Sequence, residues 1–421
     1  MKNSKIFRNY TYTIAYRLLV VVSTFITTPY VSRALGDEAI GIYTYTSTIA
    51  NYFILFGLLG ANTCGYREIA YAQNDIELRS RAFWQMMRVR ALSCGLSAVI
   101  FCIIYPHMQF GIYQGVWLIE IIANFLDISW FYNGIEEFRS SMLRNIIVRI
   151  VSLVLILSLI KDKQDLLLYI LVQTGTVLAG NICLWWKMPR YISKPIKERL
   201  DLNKYFIPVV VMFLPQIIDS VYTMLDKLML GQISTIVQVG YYGQADRIVS
   251  ILVSLVNAVP LVYGPKVANF FAQKNFRDIP GIISTSFKFT FLISFPIAFG
   301  VAGIAYGMVP WFFGMEFLPV ADLLLFYSMT IILSGINTVI SWQYLLNVKE
   351  DKKYIITVLA GAVIDFILNL ILIPQYKAMG AVIATVLSMI AMVIVSCIYA
   401  WRVIEKKQVF ISFIKPFFAG V

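Results

Sequence analysis

Twelve apolar segments long enough to cross a bilayer follow one another along the 421-residue chain, with short polar gaps between them. A helix needs about 20 mostly apolar residues to cross the hydrocarbon core of a membrane. The segments cover residues 10–31, 39–60, 84–105, 111–133, 142–160, 166–186, 205–230, 239–263, 282–303, 321–346, 354–373 and 380–401. The gaps are too short for soluble domains. The pattern therefore predicts an all-α integral membrane protein.

The charged residues strengthen this interpretation by their position. Charged side chains make up only 14% of the chain, and hydrophobic ones make up 59%, which excludes an ordinary soluble domain. With the amino terminus taken as cytoplasmic, Lys and Arg concentrate before the first segment and in every second gap. Only Arg33, Lys161, Lys163 and Lys377 lie in the opposite gaps. This is the positive-inside pattern, so the net charge of +12 reflects topology and membrane lipids rather than nucleic-acid binding.

Metal, disulfide and cofactor chemistry find no support in the sequence. The five cysteines are an odd number without paired spacing, and the one histidine, His107, follows Pro106 in an outer turn. No Gly-rich phosphate loop is present either. We therefore predict no cofactor, no metal site and no enzymatic activity.

Short motifs recur in order on the two sides of the longest basic gap, residues 187–204. The motifs at 35–36, 41–43 and 129–132 match those at 230–231, 240–242 and 341–344, at offsets of 195, 199 and 212. Chance recurrence in apolar sequence is the alternative. A true repeat predicts two six-helix bundles, 1–186 and 205–401, related by a pseudo-two-fold axis along the membrane normal with a central cleft between them. Residues 402–421 are then a tail or the start of a further helix.

Four stretches resemble bacterial polysaccharide flippases of the multidrug/oligosaccharidyl-lipid/polysaccharide exporter superfamily. They are PYVSRALG at 29–36 with GIY at 41–43, LDISWFYNGIE at 126–136, DKLMLG at 226–231 with VGYY at 239–242, and LNLILIP at 368–374 with GAVIAT at 380–385. The resemblance covers nearly the whole chain. It implies a bacterial inner-membrane protein.

The resemblance implies transport of undecaprenyl-diphosphate-linked oligosaccharide repeat units to the outer leaflet by alternating access, for O-antigen, capsule or exopolysaccharide assembly. The implied partners are this substrate, membrane lipids, a polysaccharide polymerase, glycosyltransferases and a coupling ion. A cation-coupled multidrug antiporter of the same superfamily is the alternative function. A membrane polymerase or glycosyltransferase is a remote third, because the outer gaps lack clustered acids.

Ionisable residues within the segments are the candidate substrate-binding groups, because such residues usually face a cavity or a partner. Arginines on the first and eighth helices line the cavity of related lipid II flippases, and Arg17 and Arg247 lie on those helices. Each candidate arginine has a local alternative. Arg17 can reach the headgroups, Arg247 can form a salt bridge with its neighbour Asp246, and Arg149 can form an ion pair within a bundle. The full candidate set is Arg17, Arg149, Arg247, Lys227, Asp127, Asp219, Asn51 and Gln216.

Two prolines in the seventh segment are candidate gating residues. Pro208 and Pro215 lie one heptad apart and remove backbone donors from this helix. The same segment carries Gln216, Asp219 and the pair Asp226-Lys227, for which helix-end chemistry at the interface is the alternative. The sequence therefore predicts a bent, polar helix at the start of the second bundle.

Overall fold

The computed structural model describes the backbone of residues 2–193, 201–401 and 403. Side chains are described in the same ranges, except those of residues 2–15, 17, 202, 203, 214, 215, 218, 219 and 221–223. The contacts divide the chain into two compact units, Met1–Ser220 and Val221–Val421. This division falls within a helix, and the bundle boundaries drawn at the basic linker stay a prediction.

Helices make up almost all of the described part of unit 1. They are α1 Lys2–Leu58, α2 Ala61–Tyr71, α3 Ile76–Ile104, α4 Gly111–Val116, α5 Leu118–Leu126, α6 Ser129–Gly134, α7 Phe138–Leu159 and α8 Leu166–Trp185, followed by the first part of α9 Ile207–Ile233. Helix α1 leaves helical geometry at Gly36, where φ is 79°. Glycine suits this position because it has no Cβ to clash. One break in α1 thus separates the first two predicted segments.

Unit 2 holds the remaining helices. They are the end of α9, α10 Ile236–Ala272, α11 Ile279–Phe312, α12 Pro319–Tyr327, α13 Met329–Asn337, a π-helix at Thr338–Leu346 and α14 Asp351–Ala400. Helix α14 is interrupted at Lys377, where φ is 54° and ψ is −131°. The interruption divides 50 residues into two parts, each of which is long enough to cross a bilayer.

Nine helical stretches of the described residues are long and apolar enough to span a membrane. Large apolar side chains stay exposed on them, for example Leu92, Leu96 and Ile103 on α3. Such continuous apolar surface is unusual in a soluble monomer and is expected for helices that face lipid. The protein is therefore an all-helical, multi-pass membrane protein, as the hydropathy pattern predicted.

Each unit has its own aromatic core. In unit 1, Phe83 stacks on Trp130 with ring centroids 5.5 Å apart, and Tyr132 Oη donates a 2.6 Å hydrogen bond to the Leu184 carbonyl. In unit 2, Phe287, Phe291 and Phe295 pack in a row along α11. These clusters hold each helix set together around buried rings.

Each unit contains a glycine packed against a motif tryptophan. A Cβ added to Gly65 would lie 2.6 Å from the Trp130 ring in unit 1, and one added to Gly264 would lie 2.9 Å from the Trp342 ring in unit 2.

Candidate functional site

A half-buried arginine connects α7 to α1 in unit 1. Arg149 Nε donates to Ser23 Oγ at 2.5 Å, and its Nη2 donates to Thr24 Oγ1 at 2.8 Å. The hydroxyls of Ser23 and Thr24 donate in turn to the Val20 carbonyl. No described carboxylate forms an ion pair with Arg149. A guanidinium has five N–H donors, so most of its capacity to bind an oxyanion is not used by these hydroxyls.

Asp127 has a well-defined local role. It follows the last residue of α5, and its carboxylate accepts hydrogen bonds from the backbone N–H and the hydroxyl of Ser129, both at 2.9 Å. Arg144 Nη2 lies 3.1 Å from Asp127 Oδ1 in an ion pair. Asp127 thus starts α6 and ties it to α7, and a part in substrate binding stays a prediction.

The other predicted residues of unit 1 are spread along two helices. Asn51 is exposed on α1, and Gln216 Nε2 donates to the Met212 carbonyl at 3.4 Å. The side chains of Arg17, Pro215 and Asp219 lie outside the described part of the chain.

Pro208 is the second residue of α9, which follows the π-helix Leu202–Phe206 without a gap. A gating role for Pro208 and Pro215 stays a prediction.

Sequence reasoning missed Arg90, the largest fully buried side chain of the chain's described part. Its Nη1 donates to Asn62 Oδ1 at 2.7 Å, and its Nη2 donates to the carbonyls of Asn124 and Phe125 at 2.5 and 3.3 Å. The guanidinium also lies 5.9 Å from the centroid of the Trp130 ring. Arg90 lies near the basic end of the third segment, so its charge was attributed to the positive-inside pattern and it was not chosen as a candidate.

Arg90 belongs to a larger set of donors at the end of α5. The last four carbonyls of a helix have no partner within it. In α5 these belong to residues 123–126, and all of them accept side-chain hydrogen bonds: Asn181 donates to the first at 2.6 Å, Arg90 to the next two, and Trp185 to the last at 2.8 Å. We call these three donors the α5 clamp. The clamp allows the motif at 126–136 to break a helix inside the apolar unit.

In unit 2, Lys227 forms an ion pair and is not a solitary cation. Its Nζ lies 2.7 Å from Asp246 Oδ2, and Tyr327 Oη donates to Asp246 Oδ1 at 3.0 Å. Arg247 follows Asp246 on α10 and is half-buried. On the same face, Asn257 Nδ2 donates to Ser334 Oγ at 3.1 Å. Polar side chains of α10 are thus partly used in contacts between helices.

A buried cluster of polar side chains surrounds two carboxylates in unit 2. Asp226 accepts hydrogen bonds from Asn369 Nδ2 at 2.6 Å, from Thr385 Oγ1 at 2.9 Å and from Tyr242 Oη. Asn369 also donates to Asp365 Oδ2 at 3.1 Å. Both carboxylates are 1% exposed. We call these five residues the carboxylate cluster.

The carboxylate cluster can hold a positively charged particle. Asn369 Oδ1 is buried and accepts no hydrogen bond from the described residues, so this amide oxygen can act as a further ligand beside the two carboxylates. Oxygen ligands suit hard cations, and two close carboxylates also favour a shared proton. All five residues lie in or near the motifs at 226–231, 239–242, 368–374 and 380–385. Their grouping could have been predicted only by knowing that α9, α10 and α14 meet there.

Comparison with known proteins assigns the family. The family model described as polysaccharide biosynthesis protein matches residues 6–265, which is more than half of the chain. The chain belongs to this family. The match spans the motifs at 29–36, 126–136 and 226–231 that carried the resemblance.

Two curated relatives are named as an O-antigen transporter and as a lipid II flippase. The putative O-antigen transporter of Escherichia coli K12 is 20% identical over 366 residues, which cover 85% of this chain and 88% of the relative. Lipid II flippase MurJ of Bacillus subtilis is 27% identical over 174 residues, which cover 39% of this chain. The match spans only 32% of the length of that flippase.

Solved structures establish the fold. Lipid II flippase MurJ in an inward closed conformation aligns with a TM-score of 0.75 at 15% identity, over 97% of this chain and 91% of that structure. An inward-facing multidrug resistance transporter of the MATE family aligns with a TM-score of 0.66 at 11% identity, over 93% and 95%. The chain thus shares its fold with these two transporters. The relatives are transporters and not enzymes, which confirms the expectation that this chain is not an enzyme.

Proposed function

We propose that this polysaccharide biosynthesis protein moves undecaprenyl-diphosphate-linked oligosaccharide repeat units from the cytoplasmic to the outer leaflet by alternating access. The pathway is O-antigen, capsular polysaccharide or exopolysaccharide assembly. The family match carries this proposal, together with the relative named an O-antigen transporter, which aligns over most of its length. A polymerase and glycosyltransferases of the same pathway are the proposed partners.

Arg149 supplies the chemistry that a diphosphate headgroup needs. Two hydroxyls of α1 orient its guanidinium, and no described carboxylate neutralises it. Arginine binds phosphate oxygens through paired N–H donors, and a less polar surrounding strengthens such contacts. Arg17 in unit 1, and Arg247 and Lys227 in unit 2, remain proposed substrate-binding residues, with Asp127, Asp219, Asn51 and Gln216 as proposed polar contacts to the sugars.

The carboxylate cluster is the proposed place for a coupling ion. Asp226, Asp365 and the unused Asn369 Oδ1 offer oxygen ligands to a small cation or hold a proton. Such a particle neutralises part of the buried negative charge. Binding of the ion would therefore change the stability of unit 2. We expect this change in free energy to shift the equilibrium between the states of the transport cycle.

The internal repeat is part of the proposal. The Gly65–Trp130 and Gly264–Trp342 contacts have matching positions in the two units, since Gly65 and Gly264 are 199 residues apart and the tryptophans are 212 apart. These offsets equal those of the sequence motifs. The contacts support two related six-helix bundles. We further propose that the protein lies in a bacterial inner membrane, with the amino terminus and the basic gaps on the cytoplasmic side.

A reconstituted flipping assay tests the function. The purified protein in liposomes should move a fluorescent polyprenyl-diphosphate oligosaccharide between leaflets without nucleotide. Arg149→Ala should slow flipping roughly ten- to a hundredfold, because a hydrogen bond to a charged group contributes about 1.5–3 kcal/mol. Arg149→Lys should restore only part of the rate, since an ammonium group lacks the planar fork.

Controls separate a binding role from a structural one. Ser23→Ala with Thr24→Val removes the hydroxyls and leaves the guanidinium, so it should affect the rate less than Arg149→Ala. All variants should keep the wild-type melting temperature to within a few degrees. Export of cationic dyes without lipid movement would replace the proposal with a multidrug antiporter, and strict dependence on ATP would exclude both.

A further inference from the structure

Asp226 and Lys227 are neighbours on α9 but take part in different contacts. Asp226 is 1% exposed and belongs to the carboxylate cluster. The Lys227 side chain is 18% exposed and pairs with Asp246 of α10 at 2.7 Å. Adjacent residues of a helix point about 100° apart and do not face each other. A residue of the proposed ion site and a proposed substrate-binding cation thus stand next to each other in the chain with different partners.

Two tyrosine hydroxyls connect these two contacts inside unit 2. Tyr242 Oη donates to Asp226 Oδ2, and Tyr327 Oη donates to Asp246 Oδ1 at 3.0 Å. The two hydroxyl oxygens lie 3.2 Å apart, and the ring centroids are 5.6 Å apart. Both tyrosines are buried. We call the series Asp226, Tyr242, Tyr327 and Asp246 the phenol chain.

The phenol chain has three contacts but two protons to fill them while both of its carboxylates are ionised. A phenol has a single O–H donor. The proton of Tyr242 lies on the contact with Asp226, and that of Tyr327 lies on the contact with Asp246. The contact between the two hydroxyls therefore has no proton of its own. Which contact lacks a proton depends on the charge at each end of the chain.

A cation in the carboxylate cluster would change this arrangement. Its charge attracts the oxygen of the Tyr242 hydroxyl and repels the proton. The hydroxyl would then turn away from Asp226, and also from Thr385 Oγ1, which lies 3.3 Å away within the cluster. Tyr327 Oη is the remaining neighbour of the phenol chain that can accept the proton. Both protons would then point toward Asp246, and a hydroxyl that accepts a hydrogen bond donates a stronger one.

A stronger hydrogen bond to Asp246 weakens the attraction between Asp246 and Lys227. Asp246 Oδ2 contacts Lys227 Nζ, while Oδ1 accepts from Tyr327 and, at 3.2 Å, from Ser250. Hydrogen-bond donors share the negative charge of a carboxylate, so less of it acts on the ammonium group. Repulsion between the cation and Lys227 acts in the same direction. An ammonium group that is held less firmly can bind phosphate oxygens.

We propose that the phenol chain couples the carboxylate cluster to Lys227, so that a bound cation releases Lys227 for an anionic diphosphate headgroup. The inference rests on the proposed function, because it takes the cluster as the ion site and Lys227 as a substrate-binding residue. Tyr327 is a positioning residue, since it acts through Tyr242 and Asp246. Coupling between two binding sites is reciprocal, so the headgroup also tightens cation binding by the same factor.

Binding of a short-chain polyprenyl diphosphate to the full-length protein in detergent tests the coupling. Calorimetry in sodium chloride and in choline chloride of equal ionic strength gives the two affinities. Na⁺ should tighten binding to the wild type roughly fivefold, the lower end of the usual range for coupled sites, because two hydroxyl groups transmit the effect. Tyr327→Phe should reduce this factor to below about twofold and keep the rise in melting temperature with Na⁺. Tyr306→Phe is the matched control, since Tyr306 Oη donates to Asp322 outside the phenol chain, and it should keep the wild-type factor.

A second variant separates release of Lys227 from damage to the structure. Asp246→Asn removes the charge that holds Lys227, so in choline chloride it should bind the diphosphate as tightly as the wild type does in sodium chloride. Tyr327→Phe should instead keep the weaker affinity in both salts. Equal weakening of both variants would indicate structural damage and contradict the coupling.

Two further outcomes distinguish this inference from the proposed function. A Na⁺ effect on diphosphate binding that persists in Tyr327→Phe would overturn the role of the phenol chain, because the charges would then act on each other directly. Na⁺ that raises the melting temperature of the wild type without changing its diphosphate affinity would contradict the coupling and leave the ion site standing. A wild type that Na⁺ does not stabilise would contradict the proposed ion site and the coupling together.

Discussion

The two units use buried side chains of opposite charge to stabilise polar groups among apolar helices. Each must place irregular backbone and polar groups inside an apolar helix set. Unit 1 uses a buried arginine, Arg90, whose guanidinium binds helix-end carbonyls. Unit 2 uses buried carboxylates, Asp226 and Asp365, which accept hydrogen bonds from hydroxyl and amide groups.

The difference separates a structural charge from an exchangeable one. Arg90 Nη2 binds backbone carbonyls, which cannot leave, and Nη1 binds the Asn62 side chain. Its one donor without a described partner, Nε, belongs to a group that is always charged, whereas the acids of the carboxylate cluster can gain a proton and lie beside a buried acceptor without a described partner, Asn369 Oδ1. We therefore expect the cation of unit 1 to rigidify a helix break, whereas the acids of unit 2 are the proposed place where a positive particle binds and is released. The following predictions test this contrast.

The largest effect is expected for Arg90→Met. The variant keeps an apolar stem but leaves the carbonyls of residues 124 and 125 and Asn62 Oδ1 without their donor. We expect a loss of about 3–5 kcal/mol in the free energy of unfolding, because each lost bond to a charged group costs about 1.5–3 kcal/mol. Thermal unfolding in detergent measures it. Arg81→Met, an exposed position on the same helix, should change stability by less than about 0.5 kcal/mol. Similar stabilities for the two variants would contradict a structural role for the α5 clamp.

A medium effect is expected where the two units are alike. Gly65→Ala and Gly264→Ala each place a methyl group less than 3.0 Å from a tryptophan ring. Overpacking of this kind costs about 1–3 kcal/mol, and the closer approach at Gly65 should make its variant the less stable of the two. The controls are Gly95→Ala and Gly281→Ala, whose added methyl groups meet no heavy atom within 4 Å. These should be neutral or slightly stabilising, since alanine favours helix. A destabilised control would mean that helix flexibility, not the tryptophan, sets the cost.

The smallest effect concerns the acids of unit 2. At a Na⁺ concentration ten times its dissociation constant, binding should stabilise the wild-type protein by about 1.4 kcal/mol. The measurement is the melting temperature in sodium chloride against choline chloride of equal ionic strength. Asp226→Asn and Asp365→Asn should lose the difference, and Asp278→Asn, an exposed acid of the same unit, should keep it. A sodium effect that persists in Asp226→Asn would place the cation elsewhere.

Hydropathy alone predicted the helices but not their breaks. The segment 84–105 appears within α3 and the segment 142–160 within α7, because a long apolar run can satisfy its backbone only as a helix in a membrane. The fourth segment, 111–133, was predicted as one helix and consists of α4, α5 and α6. No proline lies in it to signal a break. Its interruption at Asp127 depends on Arg90, Asn181 and Trp185, which come from distant parts of the sequence.

The sequence indicated which charged residues need partners, but not what those partners are. Intramembrane charge drew attention to Arg149, Asp127 and Lys227, since each costs free energy without a partner, and each has polar partners in the structure. Those partners cannot be read from spacing alone. Lys227 on α9 pairs with Asp246 on α10, and Asp226, for which helix-end chemistry was the alternative, is buried among the side chains of α10 and α14. Which side chains become partners depends on the rotation of each helix about its own axis. The apolar pattern constrains this rotation only weakly when most of the helix surface is apolar.

The hairpin turns decide where this chain can change its length. In unit 1, α1 reverses through Gly36, whereas the corresponding turn of unit 2 runs through Ser234 and Thr235 between α9 and α10. The offset between matching motifs rises from 195 to 199 across this turn, an insertion of four residues. The backbone leaves helical geometry in both turns, at Gly36 and at Thr235, so added residues there do not rotate the helix that follows. Turns tolerate added residues better than helices do, because no packed face depends on their register. Length variation is therefore expected at these turns and not within the helices they join.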